Sequence, residues 1–517
     1  MKVSHTPFVL FIIICAIIIF IPRAEAQISP VNKPSAGLSY SFMGSNDELP
    51  FWFHANSDGV VRTGAQYQNI ARFWAHDRLT IRQGDITINT GAETILRQGN
   101  TRNTLHFLQL YASAEYGSFR LSAGRFYDTR GIYMEPLTMG SMTQSRNATP
   151  VPKIKLETIG YTDVPRTDGR AQFHFTWSDG RLENNRTVES PYLHQKSIYL
   201  KINIWRLDLI GGFDHNVVWG GSGEILDGRL ASRSDYFRVV LGRTEDGEGR
   251  STGARLGNSV ASYDFGVNYR DRDDRYMLRA YRTFFIETTA ASRFRSPWDG
   301  VWGLGLIMKE QGNYIDAILY EHMNTLRQDS ANEVPAGRAT YYNHATYRTG
   351  WSYFGNVLGN PLITFDRSIA IGEQPVTNNQ ILAHHLGIKG TIASGLTYTL
   401  FANYSRNYGI CNDRLTSDET TDLRCTRFRA TEPLPDHVTE LPRGDFREDR
   451  YSFFLRMDYE LRRFNGISIH GAAAFDRGAY SGRLNGLMSG ISWQATGRKA
   501  KGSRYRGVLK RRNIATW

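Results

Sequence analysis

The sequence predicts an all-β fold, a transmembrane antiparallel β-barrel with about 16 to 20 strands. Three observations favour this class. The N-terminus has an apolar segment typical of an export signal, and later segments repeatedly alternate apolar and polar residues. No later segment approaches the ~20 consecutive apolar residues that a spanning helix requires. The expected location is therefore the bacterial outer membrane, although composition alone would also suit a soluble exported β-protein.

The first residues predict a cleavable signal. Phe8–Ile21 carries no charge, and the small residues Ala24 and Ala26 follow it. This run is shorter than a spanning helix, and small residues are what signal peptidase requires. We expect cleavage after Ala26, the alternative being a retained N-terminal anchor.

Three segments are expected along the chain. These are a cleaved signal peptide over residues 1–26, a single barrel domain with extracellular loops over 27–496, and a basic C-terminal extension over 497–517. The net charge of +12 comes largely from that extension, where every charged residue between Arg498 and Arg512 is basic. An exported protein has little access to nucleic acid, so the charge predicts no nucleic-acid partner.

Individual strands follow from the alternation of side chains. Phe453–Leu461 and Ile467–Phe475 predict one hairpin, and Leu108–Ala114 with Phe119–Ala123 predicts a second. A short helix is expected at Gln66–His76. Further strands are expected at Asp85–Asn89, Ile198–Asn203, Tyr236–Leu241, Tyr276–Phe284, Tyr314–Leu319, Leu396–Ser405 and, as the last strand, Leu487–Trp493.

Two cysteines follow the predicted signal, Cys411 and Cys425. In an oxidising compartment this pair predicts a disulfide, which would contribute on the order of 3 kcal/mol by restricting the unfolded chain. The pair lies in Gly409–Arg450, the longest irregular stretch, which we expect to be a large surface loop. A metal site would need more ligands than this pair offers, so none is expected.

A series of short motifs between about Pro50 and Gly409 resembles the Wzi-type capsule-assembly family of outer-membrane proteins. The best-defined stretch contains Tyr192–Lys196, His215 and Trp219–Gly221, followed later by Asp235–Tyr236. The resemblance implies a monomeric barrel of about 18 strands, consistent with the expected range. It also implies a lectin that holds capsular polysaccharide at the cell surface without catalysis. The family's periplasmic helical element has no obvious counterpart in this sequence.

Candidate sugar-binding residues are aromatic or basic. Sugars stack on tryptophan rings, and arginine pairs with the carboxylates of acidic sugars. Trp219, Trp298 and Trp351 lie in the family-like motifs, where packing in an aromatic girdle or in the lumen is the alternative role. The Gly409–Arg450 loop is the other candidate region, with four arginines: Arg414, Arg424, Arg427 and Arg429.

Two other functional classes remain open, a porin or sugar channel and an exported glycoside hydrolase. A hydrolase would use a carboxylate pair, for which Glu287, Asp299 and Glu321 lie beside aromatic residues. The adjacent His384 and His385 would point to opposite faces of a strand and could not share a metal ion. We expect no catalytic residue and no cofactor, and as partners a capsular or extracellular polysaccharide and outer-membrane lipid.

Overall fold

A computed structural model describes residues 28–29, 35–81, 86–226, 231–242, 257–287, 294, 296–328, 341–370, 372–411, 425–426 and 448–495. The predicted signal (residues 1–26) and the predicted C-terminal extension (residues 497–517) lie outside these residues. In the described part, 18 strands form a closed antiparallel barrel. This confirms the predicted fold class and strand number.

The barrel strands are numbered in chain order. They are β1 (Ser35–Ser45), β2 (Tyr67–Ile81), β3 (Ile86–Gly99), β4 (Thr104–Tyr116), β5 (Phe119–Arg125), β6 (Lys153–Thr158), β7 (Ala171–Arg181), β8 (Tyr192–Ile204), β9 (Leu207–Trp219), β10 (Gly257–Arg270), β11 (Tyr276–Ile286), β12 (Gly300–Met308), β13 (Ala317–Asn324), β14 (Ile381–Ala393), β15 (Leu396–Asn407), β16 (Glu448–Glu460), β17 (Ile467–Gly478) and β18 (Gly482–Gln494). Each strand pairs with the next, and β18 pairs with β1 to close the sheet.

Alternating side chains explain why these segments form a membrane barrel. On β8, Ile198, Leu200 and Ile202 are exposed on the outer face, whereas the intervening Ser197 and Tyr199 are buried inside. Successive side chains of a strand point to opposite faces, so apolar residues meet lipid and polar ones meet the lumen.

The two ends of the barrel differ in the length of their connections. At one end the turns are short, such as residues 117–118, 205–206 and 394–395. At the other end long connections join β1 to β2, β5 to β6 and β13 to β14. Outer-membrane barrels have short periplasmic turns and long extracellular loops, which assigns the long connections to the extracellular side.

Three long connections fold together into a plug, defined as residues 46–66, 126–152, 341–370 and 372–380. Tyr342 and Trp351 are fully buried in its core together with Met134 and Leu137. The same apolar core includes inward-facing wall residues such as Leu319. The plug is therefore part of the packed interior of the barrel.

Polar wall residues attach the plug on several sides. The Oε2 atom of Glu321 on β13 accepts a hydrogen bond from the Met139 amide (2.6 Å), and Asp476 on β17 accepts one from the Phe51 amide (2.8 Å). On β9, Asp214 accepts a hydrogen bond from the Thr143 hydroxyl (2.7 Å). Attachment to such widely separated strands places the plug across the lumen.

Most predicted strands are confirmed, including both hairpins and Leu487–Trp493 within β18. The helix predicted at Gln66–His76 is wrong, because this segment is β2 and pairs with β1 and β3. The strand predicted at Tyr314–Leu319 begins only at Ala317, since the Asp316 side chain accepts the amides of Gly312 and Asn313 in a preceding turn.

The strand predicted at Tyr236–Leu241 is also wrong. This segment belongs to helix α2 (Arg233–Val240), which begins with a capping box between Ser232 and Asp235. A single-turn helix α1 (Phe51–His54) lies in the plug, and a short 3-10 turn covers Glu224–Leu226. No helix among the described residues is long and apolar enough to cross a membrane.

Candidate functional site

Four arginines gather at the extracellular end of the plug and adjoining wall. This arginine cluster consists of Arg62, Arg97, Arg125 and Arg367. Arg97 donates to the carbonyl of Val60 (3.0 Å), and Arg125 donates to the hydroxyl of Tyr353 (3.2 Å). In the described part of the chain, none of the four forms an ion pair with a carboxylate.

Arg367 occupies the plug side of this cluster. Its Nε donates to the Thr63 hydroxyl (3.1 Å), and its Nη2 donates to Asn356 Oδ1 (2.7 Å). Desolvation by the plug, followed by repulsion from Arg62 and Arg97, lowers the pKa of Arg367 to about 10. The guanidinium therefore stays charged at neutral pH, but an anion at this position would relieve its repulsion from the other two.

An aromatic ring lies next to the cluster at the tip of a small hairpin, where Tyr353 pairs with Asn356. The two tip residues both have left-handed backbones, with φ of 48° at Phe354 and 76° at Gly355. Glycine adopts this conformation readily, but for a bulky residue it costs roughly 1–3 kcal/mol. The Phe354 side chain is nevertheless 53% exposed. Two-residue hairpin turns commonly require positive φ at both central positions, and this turn holds the Phe354 ring at the surface.

The tip of this hairpin lies against the cluster. A Cβ atom on Gly355 would lie 2.8 Å from Nη1 of Arg367, so the guanidinium passes directly beside the hairpin tip. An aromatic face can stack on the apolar face of a sugar ring, and guanidinium groups pair with carboxylates in a bidentate manner. The arrangement is thus chemically suited to an anionic saccharide.

The three candidate tryptophans lie in different surroundings. Trp351 is 0% exposed and donates its Nε1 hydrogen to the carbonyl of Thr143 (2.7 Å). The sugar-stacking role predicted for Trp351 is therefore wrong as the structure places it, because both ring faces are packed inside the plug. Trp351 instead has the alternative role, packing in the interior of the barrel.

Trp219 is on the outer wall of the barrel, and Trp298 lies in the connection just before β12. Trp219 is buried between the rings of Tyr192 and Tyr236, at centroid distances of 5.1 and 5.6 Å. Trp298 is 56% exposed and stacks on Trp302 at 6.4 Å. The structure thus does not bring the three tryptophans together, and the exposed Trp298 has surroundings typical of an interfacial girdle.

The predicted loop site falls largely outside the described residues. Arg414, Arg424, Arg427 and Arg429 all lie there, so their role stays a prediction. The backbones of Cys411 and Cys425 are direct partners in a short antiparallel pair. That register supports the predicted disulfide, which also stays a prediction.

The carboxylates considered for glycoside hydrolysis serve as anchors between wall and plug. Glu321 accepts hydrogen bonds from Thr138 and Met139, and Asp299 accepts one from the Tyr341 hydroxyl (2.8 Å). Glu287 likewise accepts the Tyr342 amide (3.0 Å). Their observed contacts give each of them a structural role.

The adjacent histidines point to opposite faces, as predicted. His385 is buried inside and donates from Nε2 to the carbonyl of Leu137 (2.7 Å), whereas the ring of His384 stacks outside on Tyr404. Among the described residues, no group of three or more potential ligands is arranged to hold a metal ion.

Two polar cavities separate the plug from the periplasmic half of the wall. Their volumes are about 540 and 250 Å³. Lys155 and Glu157 line both cavities and form an ion pair of 2.8 Å. The periplasmic half of the lumen therefore contains cavities large enough for water. The extracellular half of the lumen is filled by the plug.

A closed barrel with an apolar outer face and a folded plug defines a bacterial outer-membrane protein with an obstructed lumen. Residues 44–367 match the model of the capsule assembly protein Wzi family. This match covers more than half of the sequence, and the chain belongs to that family. The predicted resemblance and outer-membrane location are thereby confirmed.

Solved structures show a consistent fold. The chain is similar to Wzi of Escherichia coli, an outer membrane protein involved in group 1 capsule assembly and a carbohydrate-binding β-barrel, with 12% identity and a TM-score of 0.53 over 88% of this chain and 83% of that one. OpdK of Pseudomonas aeruginosa gives 9% identity and a TM-score of 0.44, over 90% of this chain and 100% of that one. At 12% identity the similarity to Wzi supports the fold alone. No curated protein matches the sequence.

Proposed function

We propose that this protein is a lectin-like outer-membrane protein that binds capsular or extracellular polysaccharide and retains it at the cell surface, without catalysing a reaction. The observation that carries the proposal lies at the extracellular end of the plug. It is the exposed Phe354 at a hairpin tip whose next residue, Gly355, lies against Arg367 of the arginine cluster. Membership of the capsule assembly family supports it, as does carbohydrate binding by the E. coli protein.

The cluster favours an acidic polymer. Arg97 is buried and Arg367 is crowded by like charges, so both would gain from a nearby anion. Uronic acid carboxylates or pyruvyl groups have the planar oxygen pair that guanidinium binds best. A neutral polysaccharide would use the Phe354 ring without this gain, and we expect it to bind more weakly.

The Gly409–Arg450 loop remains a second proposed contact region. It leaves the barrel after Asn407 and returns before Glu448, both at the extracellular end. Its four arginines, Arg414, Arg424, Arg427 and Arg429, would add positive charge on the same side of the membrane as the cluster.

Polymer retention tests the proposal directly. In an encapsulated strain that depends on this protein, Arg367→Glu combined with Phe354→Ala should release polysaccharide into the medium while leaving its synthesis and the barrel intact. Arg272→Glu makes the same charge change in the short turn after β10 and should leave retention unchanged. Normal retention by the double variant would contradict the assignment of this site, and replacement of the four loop arginines with glutamate tests the second region.

The two other functional classes predict different measurements. A porin would give large single-channel conductance in planar bilayers, whereas the plug leads us to expect very little ion flow. A hydrolase would shorten an acidic polysaccharide during incubation, whereas a binding protein returns it at its original length. Large conductance would contradict the proposed function and identify a porin. Shortened polymer would contradict it and identify a hydrolase.

A further inference from the structure

The outer wall of the barrel has a polar patch near its extracellular rim. This rim patch consists of Asp179 on β7, His194 and Lys196 on β8, and His215 on β9. On β7 the neighbour of Asp179, Ser178, faces inward, where it accepts a hydrogen bond from the plug residue Arg130. Alternate side chains of a strand point to opposite faces, so the rim patch faces outward. Polar groups are unusual on a lipid-facing wall and need an explanation.

Helix α2 covers the rim patch. The Tyr236 hydroxyl donates to Asp179 Oδ2 (3.1 Å), and Lys196 Nζ donates to the carbonyl of Val240 at the helix C-terminus. Val239 packs against Val217 and Trp219 of β9. A lysine at this end also interacts favourably with the helix dipole. The helix is therefore fixed against the outside of the barrel by specific contacts along its length.

The family-like sequence motifs meet at this contact. Tyr192–Lys196, His215 and Trp219 supply the wall, and Asp235–Tyr236 supplies the helix. The outward-facing residues of these motifs take no part in the arginine cluster. Inward, the same motifs contact the plug, where Gln195 donates to Gln144 and the Gly220 carbonyl accepts the Tyr347 hydroxyl.

The opposite face of the helix combines apolar and basic residues. Phe237 and Leu241, four positions apart, are each 64% exposed. Arg233 and Arg238 are also exposed on this side. On β8 the next outward residue below Lys196 is the exposed Ile198, which begins the apolar band of the barrel. The free face of the helix therefore lies at the level where lipid headgroups meet acyl chains.

We propose that α2 is an interfacial anchor that binds the phosphorylated glycolipid of the outer leaflet. Phe237 and Leu241 enter the boundary of the acyl chains, and Arg233 and Arg238 face the headgroup phosphates. Amphipathic helices with a basic polar side bind anionic membrane surfaces in this way. Facing lipid also removes two large apolar side chains from water, which favours this orientation.

Spin-label accessibility tests the depth of the helix. A nitroxide at Leu241→Cys, in the full-length protein reconstituted into phosphatidylcholine vesicles containing diphosphoryl lipid A, should collide with oxygen and be shielded from a water-soluble nickel complex. Leu200→Cys on the lipid-facing wall gives the acyl-chain reference, and Asp273→Cys in a periplasmic turn gives the aqueous reference. Phe237→Cys is the second position if Leu241→Cys does not fold. Nickel access equal to that at residue 273 would overturn the proposal.

Lipid binding tests the role of the charges. Arg233→Ala and Arg238→Ala should each weaken binding of diphosphoryl lipid A about fivefold, the factor expected for one basic residue at an anionic surface. Native mass spectrometry of protein released from nanodiscs measures the bound fraction, and Arg272→Ala is the charge-matched control. Dephosphorylated lipid A should bind the wild type and both variants equally. Undiminished binding of diphosphoryl lipid A by the variants would overturn the assignment of phosphate recognition.

Discussion

Glu321 of the barrel wall accepts the backbone hydrogen of Met139 in the plug over 2.6 Å. The same carboxylate accepts hydrogen bonds from the hydroxyls of Thr138 and Tyr281. Glu321 is fully buried, so its carboxylate, and not water, is the hydrogen-bond acceptor for all three donors. A single side chain thus joins two wall strands to the plug.

Replacing this anchor should open the lumen. In Glu321→Ala the three buried donors lose their acceptor, at a cost of roughly 1–3 kcal/mol for each one left unpaired. We expect a loosened plug, higher ion conductance in planar bilayers and faster proteolysis of the plug. Glu310→Ala, in the exposed turn after β12, is the control. Wild-type conductance and protease resistance in Glu321→Ala would show that the plug does not depend on this contact.

A pair of glycine substitutions tests whether the position of the Arg367 guanidinium matters for binding while its charge is kept. In Gly355→Ala the new Cβ lies 2.8 Å from Nη1 of Arg367 and should displace the guanidinium. Gly64→Ala imposes a similar backbone cost, with φ of 73° against 76°, but meets nothing within 4 Å. We expect acidic polysaccharide binding to fall roughly tenfold in Gly355→Ala, about the loss of one charge-assisted hydrogen bond.

The comparison between these two variants is decisive for the site. Titration calorimetry with a purified acidic polysaccharide gives the affinity, and heat-modified electrophoretic mobility reports barrel folding. Wild-type affinity in both Gly355→Ala and Gly64→Ala would exclude Arg367 from the binding site. An equal loss of affinity in both variants would attribute the effect to general strain in the plug.

The stability of the plug should depend on pH through the ionisation of Glu135. Burial, reinforced by Asp58 and opposed by Arg146, raises the pKa of Glu135 to about 7. Between about pH 4.5 and 7 the unfolded segment releases this proton while the folded plug keeps it, so stability falls as the pH rises through that window. Above pH 7 the loss is complete, at roughly 1–3 kcal/mol for a partly exposed group.

Glu135→Gln isolates this effect, because the amide is neutral at every pH. The difference in plug stability between wild type and variant should be small at pH 4.5 and should favour the variant by the full amount at pH 8. Proteolysis of the plug in urea at both pH values measures this difference. A difference that is constant with pH would show that Glu135 does not titrate in this range.

The barrel was predictable because lipid imposes a simple pattern on each strand. One face must be apolar along its whole length, so segments such as Phe453–Leu461 carry the signal locally. The pattern failed at Tyr236–Leu241, where the backbone is helical and the decisive partners, Asp179 and Lys196, lie on other elements. It failed at Gln66–His76 because strand pairing with β1 and β3 overrides local helix propensity.

The candidate site was much less predictable than the fold. Arg62, Arg97, Arg125 and Arg367 are separated in the chain, and only the packing of the plug against the barrel wall brings them together. Nothing local distinguishes them from other arginines. Tryptophan content was a poor guide, because Trp351 is needed to fill the plug core. The one local signal was the Phe354–Gly355 pair, since glycine in a two-residue hairpin favours positive φ and exposes its neighbour.

The predicted disulfide can be tested independently of the binding site. Because Cys411 and Cys425 have directly opposed backbones, we expect protein exported to the oxidising cell envelope to contain a bond between them. Mass spectrometry of peptides alkylated before and after reduction should find both thiols protected until reductant is added. Cys411→Ser should then expose Cys425 to alkylation and speed proteolysis of the 409–450 loop, reflecting the loss of a restraint on the order of 3 kcal/mol. Full alkylation of both cysteines in the unreduced wild type would contradict the pairing.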